Sequence, residues 1–266
     1  MKFSTLASGS SGNAAVLMDD AGHILIDIGI SNRAVCERLE SLGVSDKDVS
    51  AIFITHEHSD HVRGLSVWAK KHPNCEIFAS HGTFAQMHEC EVKINLFNAG
   101  ECFDLNGFHV KPFKTPHDAN DSVAYLFERD GSRMMIATDL GYVTDELREN
   151  MKNLDFLLIE ANYDKRKLEY GRYPRPLKER IASEIGHLSN DACAECVLYA
   201  VQNGCKNIAL GHLSEENNSP RIAYDTVHRK LLDAGIIPGV DMNLTVAPRG
   251  NVMPPIEVGK GAACVK

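Results

Sequence analysis

The sequence predicts an α/β (α+β) protein with an αββα arrangement, in which two mixed β-sheets pack face to face and helices cover both outer faces. Segments that read as a β-hairpin come before segments in which strands and helices alternate, and this order occurs twice along the chain. No linker rich in proline, glycine or serine divides the 266 residues. We therefore expect one domain over residues 1–258, followed by a disordered tail at 259–266.

The first half of the chain contains the first hairpin. It begins with a short strand, KFSTLAS, and a turn rich in glycine and serine, and the hairpin AAVLMDD–HILIDIG follows. Helical periodicity continues through SNRAVCERLESLG, with Ser31 or Asn32 as N-cap and Gly43 at the C-terminal stop. The apolar run VSAIFIT has the length of a buried strand and ends at His56. Beyond it we expect a helix at Leu65–Lys71, a strand in CEIFAS and a helix in HGTFAQMHEC.

The second half repeats this order. A strand, FHVKPFKT, precedes a hairpin formed by SVAYLFERD and SRMMIATD through Asp130–Gly131. Strands are then expected in DFLLIEANYD, NIALGHLS and NLTVAPRG. Helices are expected in VTDELRENMKN, HLSNDACAECVLYAVQNG and SPRIAYDTVHRKLLDAG.

Composition narrows the class of protein. Hydrophobic residues make up 44% and charged residues 24%, which is typical of a globular core. The sequence contains no apolar window long enough for a transmembrane helix, and its N-terminus lacks the apolar region of a secretory signal. The net charge of −8 is weak evidence against nucleic-acid binding, because the distribution of charge matters more than its sum.

The eight cysteines are scattered, and without a secretion signal we expect them to be reduced thiols of a cytoplasmic protein. Cys193 and Cys196 form a CxxC in a helical segment. A zinc site of that type needs a second pair at matching spacing, which the sequence lacks. We therefore expect both to be buried helix residues.

The segment THEHSDH, residues 55–61, is the strongest chemical signal. Three histidines and an aspartate follow directly after a buried strand, and imidazole and carboxylate are ligands for Zn²⁺, Mn²⁺ or Fe²⁺. His56 and His58 are two positions apart and can point the same way in an extended turn. Asp60 and His61 follow on the next bend and can face a second metal ion.

Further ligands are expected at the ends of other strands. His117, Asp139 and His212 each follow an apolar run, as His56 does, and ligand sites collect at such strand ends. A carboxylate that bridges two cations holds them close together, and Asp139 is the candidate for the bridge. Asp118 is an alternative that could replace or assist His117.

This pattern resembles the metallo-β-lactamase superfamily. The HxHxDH motif followed by separated His, Asp and His is that family's signature, and LIDIG, with Asp27, is similar to its first motif. The resemblance implies that Asp27 supports the ligand turn without binding metal. The segments FSTLASGSSGN, THEHSDH, EIGHLSN and GHLSEENNSP are more closely similar to the YycJ/WalJ group of bacterial proteins, which implies a 5′-to-3′ exonuclease acting on double-stranded DNA.

His187 is a candidate catalytic residue. EIGHLSN resembles the GHST segment of tRNase Z-type phosphodiesterases, which implies a role at the scissile phosphate or as proton donor to the leaving oxygen. A helix is expected to begin after it, with Ser189 or Asn190 as N-cap, and free N–H groups at a helix start bind anions. Glu160 is the candidate for holding His187 or a metal ligand in place.

Two segments are candidates for binding a phosphate substrate. Residues 165–180, which include Arg172 and Arg175, are basic with interleaved tyrosines; basic side chains contact phosphates and aromatic rings stack on unpaired bases. In GHLSEENNSP, hydrogen bonds to a phosphate are expected from Ser214, Asn217 and Asn218. The loop Ser8–Asn13 is expected to approach the site closely.

The sequence thus predicts a metal-dependent phosphodiesterase with two divalent metal ions (Zn, Mn or Fe) that activate a hydroxide, and with Asp60 and His187 as catalytic residues. Its expected partner is nucleic acid, duplex DNA in particular, and no membrane. The alternative is a lactonase- or glyoxalase-like hydrolase of small esters or thioesters, which would not need the basic segment. A di-iron reductase is disfavoured, since such relatives carry an acidic residue where this chain has His58. The sequence leaves open the metal, DNA against RNA, and the oligomeric state.

Overall fold

The protein is described by a computed structural model over residues 1–87 and 93–259. In these ranges the strands form two sheets of seven. The first sheet contains β1 (Lys2–Ala7), β2 (Ala14–Met18), β3 (His23–Ile26), β4 (Val49–Phe53), β5 (Glu76–Ser80), β6 (Asn95–Phe97) and, from the C-terminal end, β14 (Ile256–Glu257). The second contains β7 (Phe103–Leu105), β8 (Phe108–Lys114), β9 (Val123–Arg129), β10 (Ser132–Ala137), β11 (Phe156–Glu160), β12 (Asn207–Gly211) and β13 (Asn243–Val246).

The two sheets have related topologies. The first has the order β14-β1-β2-β3-β4-β5-β6, and the second has the order β13-β12-β11-β10-β9-β8-β7. An antiparallel hairpin, β2–β3 in one sheet and β9–β10 in the other, is followed in each by parallel strands. The predicted order of hairpin and then strand–helix alternation, occurring twice, is confirmed.

Helices lie between the strands. In chain order they are α1 (Asn32–Ser41), α2 (Ser59–Val62), α3 (Leu65–Lys71), α4 (His81–Gln86), α5 (Asp145–Asn150), α6 (Lys165–Tyr170), α7 (Arg175–Ile181), α8 (Asn190–Gln202) and α9 (Pro220–Asp233). Ser31 caps α1 by accepting a hydrogen bond from the N–H of Ala34, and Ser189 caps α8 in the same way. Gly43 takes a positive φ of 74° just after α1, a conformation that favours glycine at a helix end.

The core has three layers of apolar side chains. The central layer lies between the sheets and includes Phe3, Phe53 and Phe156. A second layer packs the first sheet against α1 and α3, with Trp68 fully buried in it. A third packs the second sheet against α5, α8 and α9, and it contains both Cys193 and Cys196, which confirms them as buried helix residues. This is the predicted αββα sandwich.

The ends of the chain meet, because β14 pairs antiparallel with β1. This pairing supports our proposal that residues 1–258 form one domain. Most of the predicted tail, 260–266, and part of the helix predicted in HGTFAQMHEC, from residue 88, lie outside the described residues. None of the described helices is long and apolar enough to cross a membrane.

Candidate metal centre

The seven predicted metal ligands converge at one edge of the sandwich. They follow the carboxyl ends of β4, β8, β10 and β12, with Asp60 and His61 in the short helix α2. Five of the seven are buried and two are half-buried. We call this set the metal centre: His56, His58, Asp60, His61, His117, Asp139 and His212.

The ligand atoms fall into two groups. Those of His56, His58 and His117 all lie within 4.8 Å of one another. The same is true of a second group, which contains Asp60, His61 and His212.

Asp139 lies between the two groups. Its Oδ2 is 3.4 Å from Nε2 of His61, and its Oδ1 is 3.7 Å from Nε2 of His117. It also forms a compact group with His56 and His61, again within 4.8 Å. A single carboxylate is therefore within reach of both groups, which is the position expected of a bridging ligand.

The polar atoms of the centre fit divalent cations. Nε2 of His56, Nε2 of His117 and Oδ2 of Asp139 are buried and have no hydrogen-bond partner among the described residues. Each such atom costs about 1–3 kcal/mol when it is left unpaired. A shared cation offsets this cost, and imidazole with carboxylate is a donor set for Zn²⁺, Mn²⁺ or Fe²⁺.

Neighbouring groups orient the predicted ligands. Asp27 accepts hydrogen bonds from both the N–H and the hydroxyl of Thr55, and its Oδ2 lies 2.7 Å from Nδ1 of His61. Nδ1 of His117 lies 3.1 Å from the carbonyl oxygen of Gly186. In both histidines Nδ1 is occupied by an acceptor, so Nε2 is the nitrogen that faces the centre.

Backbone conformation also positions two of the predicted ligands and the supporting Asp27. Asp27, Asp139 and His212 have φ values of 59°, 60° and 52°, in the left-handed region that non-glycine residues rarely adopt. Such positions cost on the order of 1–3 kcal/mol each and persist where the surroundings enforce them. The reversal just after β10 and β12 turns the side chains of Asp139 and His212 into the centre.

The glycine- and serine-rich loop predicted to approach the site contacts it through Asn13. Nδ2 of Asn13 lies 3.0 Å from Nε2 of His61 and 3.3 Å from Oδ2 of Asp60. At the start of the loop, Oγ of Ser8 accepts a hydrogen bond from the N–H of His212. The signal for this loop was its composition; the contact of Asn13 with the ligands was not predicted.

Charges in the centre shift the pKa values of its groups. Burial, with the neighbouring His61, holds the pKa of His56 well below its usual range. Burial alone would raise the pKa of Asp139, but His212 and His61 outweigh it and hold that pKa well below its usual range. Burial opposes the charged form of His212, yet Asp139 raises its pKa to about 9.

His187 lies beside the centre and is held by Glu160. Oε1 of the fully buried Glu160 is 2.7 Å from Nδ1 of His187. Its Oε2 accepts hydrogen bonds from the N–H groups of Leu140 and Leu188. Burial disfavours the imidazolium of His187, but the Glu160 carboxylate outweighs it and raises the pKa of His187.

The predicted substrate-binding residues differ in their accessibility. Arg172 and Arg175 are exposed on the segment that joins β11 to His187. Ser214, Asn217 and Asn218 are buried. The amide of Asn218 is used within the protein, on Asn190 and on the carbonyl oxygens of Ala161 and Asn162. Both amide atoms of Asn217 lack partners among the described residues.

Arg180, a basic residue of the segment 165–180, is a neighbour of the centre through a contact that the sequence did not predict. Its Nε contacts Oδ2 of Asp118, while Oδ1 of Asp118 lies 3.4 Å from Nε2 of His117. Arg180 belongs to α7 and Asp118 to the loop after β8, 62 positions apart in the chain. The basic segment is therefore connected to the metal centre through Asp118.

A family model described as a beta-lactamase superfamily domain matches residues 23–203. The chain belongs to the metallo-β-lactamase superfamily. Within it, the chain is 36% identical over 250 residues to exodeoxyribonuclease WalJ of Streptococcus pneumoniae, an alignment that covers 91% of this chain and 93% of that protein. It is 33% identical to exodeoxyribonuclease YycJ of Bacillus anthracis, with 88% and 90% covered.

Solved structures support the same superfamily fold. The metallo-beta-lactamase fold protein YhfI from Bacillus subtilis superposes with a TM-score of 0.68 at 14% identity, covering 97% of this chain and 99% of that one. At that identity the likeness concerns the fold alone. Superfamily membership and the clustered His and Asp ligands make the chain a hydrolase that uses divalent metal ions.

Proposed function

We propose that this chain is an exonuclease that degrades double-stranded DNA from the 5′ end and uses two metal ions. The observation that carries the proposal is the meeting of two ligand groups at Asp139. Its substrate class is supported by the 36% identity, over 91% of the chain, to a protein named as an exodeoxyribonuclease. A cytoplasmic location is also proposed, supported by the free thiols at positions 36, 75, 102, 193, 196 and 205.

The two ligand groups define the proposed binding sites. His56, His58 and His117 would hold one ion, a second would be held by Asp60, His61 and His212, and Asp139 would be shared. When bound, the ions lower the pKa of a water molecule and stabilise negative charge on the phosphate.

His187 is the proposed proton donor to the leaving oxygen. The contact between Glu160 and Nδ1 leaves Nε2 as the nitrogen that can face the substrate. The same carboxylate raises the pKa of His187 and so favours the protonated ring, which is the form that can donate a proton. Asp60 is proposed as a further catalytic residue, because its half-buried carboxylate lies at the centre, where it can orient the attacking water.

The basic segment is the proposed contact surface for the DNA backbone. Arg172 and Arg175 are exposed, and α7 reaches the metal centre through Arg180 and Asp118. Tyr170 is 78% exposed and can stack on a base that leaves the duplex, whereas Tyr163 is buried in a small cluster with Leu168 and Ile181.

The deciding experiment is a nuclease assay on duplex DNA and on RNA, each labelled at one end, with Mn²⁺ or Zn²⁺ added to metal-stripped protein. The Asp139→Asn variant serves as the blank, and Asp130→Asn, an exposed turn residue, as the matched control. We expect stepwise shortening of duplex DNA by the wild type and the control, with 5′ label released first. Absence of cleavage with every metal and substrate would contradict the proposal. A hydrolase of small-molecule esters or thioesters would then be the better hypothesis.

A further inference from the structure

A second cluster of metal-ligand side chains lies on the outer face of the first sheet. Cys36 is on α1, Asp46 begins the short 3-10 turn Asp46–Asp48 before β4, and His72 is the C-cap that follows α3. This cluster is beside the start of β4, whereas His56 follows the other end of that strand. A strand advances about 3.3 Å per residue, so the two places are separated by roughly 20 Å.

The three donor atoms are arranged as ligands of one ion. Sγ of Cys36 lies 3.5 Å from Oδ2 of Asp46, and Nε2 of His72 lies 3.5 Å from the same oxygen. All three atoms are within 4.8 Å of one another. Tetrahedral zinc with ordinary bond lengths places sulfur, nitrogen and oxygen ligands roughly 3.4–3.6 Å apart.

His72 is held with its donor atom towards the cluster. Its ring stacks on Trp68, with centroids 4.1 Å apart, and Trp68 is fully buried. Nε2 of His72 is buried and has no hydrogen-bond partner within residues 1–87 and 93–259. Ring stacking thus fixes a buried, unpaired nitrogen close to a carboxylate and a thiol, as expected for a metal ligand.

We propose that Cys36, Asp46 and His72 bind a zinc ion, with water in the fourth position. The ion would fasten α1, the 3-10 turn and the end of α3 to one another on the outer face of the first sheet. Zn²⁺ suits this donor set, since it accepts thiolate, imidazole and carboxylate in a tetrahedron. Without the ion, burial and the Asp46 carboxylate raise the pKa of Cys36, so the thiol stays protonated and donates to Asp46.

Cobalt separates this site from the metal centre, because the seven residues of the metal centre supply nitrogen and oxygen only. Metal-stripped full-length protein is titrated with Co²⁺ in a reductant that does not bind metals, and thiolate-to-cobalt charge-transfer absorption is recorded. We expect a band that saturates at about one equivalent per chain and is displaced by Zn²⁺. His72→Ala is expected to weaken the binding that gives this band at least about tenfold.

Two variants make the result specific. Cys36→Ser removes the thiolate with little change in volume and is expected to abolish the band, while Cys102→Ser, at an exposed cysteine, retains it. Asp139→Asn disables the metal centre but should keep the band, so the inference stands or falls separately from the proposed nuclease. Absence of a band in the wild type, or its persistence in folded Cys36→Ser, would overturn the site.

Discussion

Oδ2 of Asp27 lies 2.7 Å from Nδ1 of His61, and both side chains are buried. The other oxygen of Asp27 accepts the N–H of Thr55, so this carboxylate links the ligand turn to the end of β3. It fixes the proton of His61 on Nδ1 and directs Nε2 to the metal centre. We therefore predict that Asp27 orients a metal ligand, and this role can be tested without changing any of the seven residues of the metal centre.

We expect Asp27→Asn to weaken metal binding about 10–100-fold, because the amide loses the negative charge and one acceptor opposite His61. Competition with a chromophoric chelator measures the affinity, and circular dichroism checks folding. Asp104→Asn, at an acid with 82% of its side chain exposed, is the control and should bind metal as the wild type does. Unchanged affinity in Asp27→Asn would refute the orienting role.

Close packing of Gly29 against the ligand turn gives a second prediction. A Cβ at Gly29 would lie 1.6 Å from the carbonyl oxygen of Asp60, which is backbone and cannot move aside without shifting the turn. Gly29→Ala should lower the free energy of unfolding by at least about 1–3 kcal/mol and reduce metal affinity. Gly250→Ala, where the added carbon meets nothing within 4 Å, is the matched control. Equal urea midpoints for the two variants would show that the turn adapts.

The sequence predicts the candidate ligands because His56, His117, Asp139 and His212 each follow an apolar run of strand length, and ligand sites collect at such strand ends. It missed β6, β7 and β14, which contain only two or three residues and are too short to show alternation. It also missed the positive φ of Asp139 and His212, because the surrounding structure imposes that conformation. The contact of Arg180 with Asp118 joins segments 62 positions apart, and the local sequence pattern does not predict how such segments pack.

The pH dependence of turnover tests the pairing of Glu160 with His187. The Glu160 carboxylate raises the pKa of His187, so removing its charge lowers that pKa. If protonated His187 donates to the leaving oxygen, activity falls as pH rises through this pKa. The alkaline limb of the kcat profile should therefore move to lower pH in Glu160→Gln. A uniform loss of kcat with an unmoved limb would indicate that Glu160 acts only on structure.

Charge reversal tests the proposed DNA surface. Arg172→Glu with Arg175→Glu should raise KM for duplex DNA at least about tenfold near 0.1 M salt and flatten its dependence on salt, because phosphate contacts release counterions. The value of kcat at saturating DNA should change little. Arg33→Glu is a matched control, since Arg33 and Arg175 each pair with a glutamate four residues later on an exposed helix face. An unchanged KM in the double variant would place the DNA elsewhere.

Asp118 and His117 are alternative candidates for one ligand position, and in the structure their side chains have different neighbours. Arg180 contacts one oxygen of Asp118. Burial alone would raise the pKa of Asp118, but the guanidinium of Arg180 outweighs burial and holds that pKa below its usual value. Nε2 of His117, by contrast, is buried without a hydrogen-bond partner among the described residues and groups with His56 and His58.

His117→Ala should therefore lower the metal content by about one ion per chain, because it removes one of the three imidazoles of its group. Asp118→Asn should keep the full metal content and lower nuclease activity only through the position of Arg180. Metal analysis after dialysis, with folding checked by circular dichroism, distinguishes the two. If Asp118→Asn lost an ion and His117→Ala kept it, Asp118 would be the ligand. Arg180 would then have to release the Asp118 carboxylate when the ion binds.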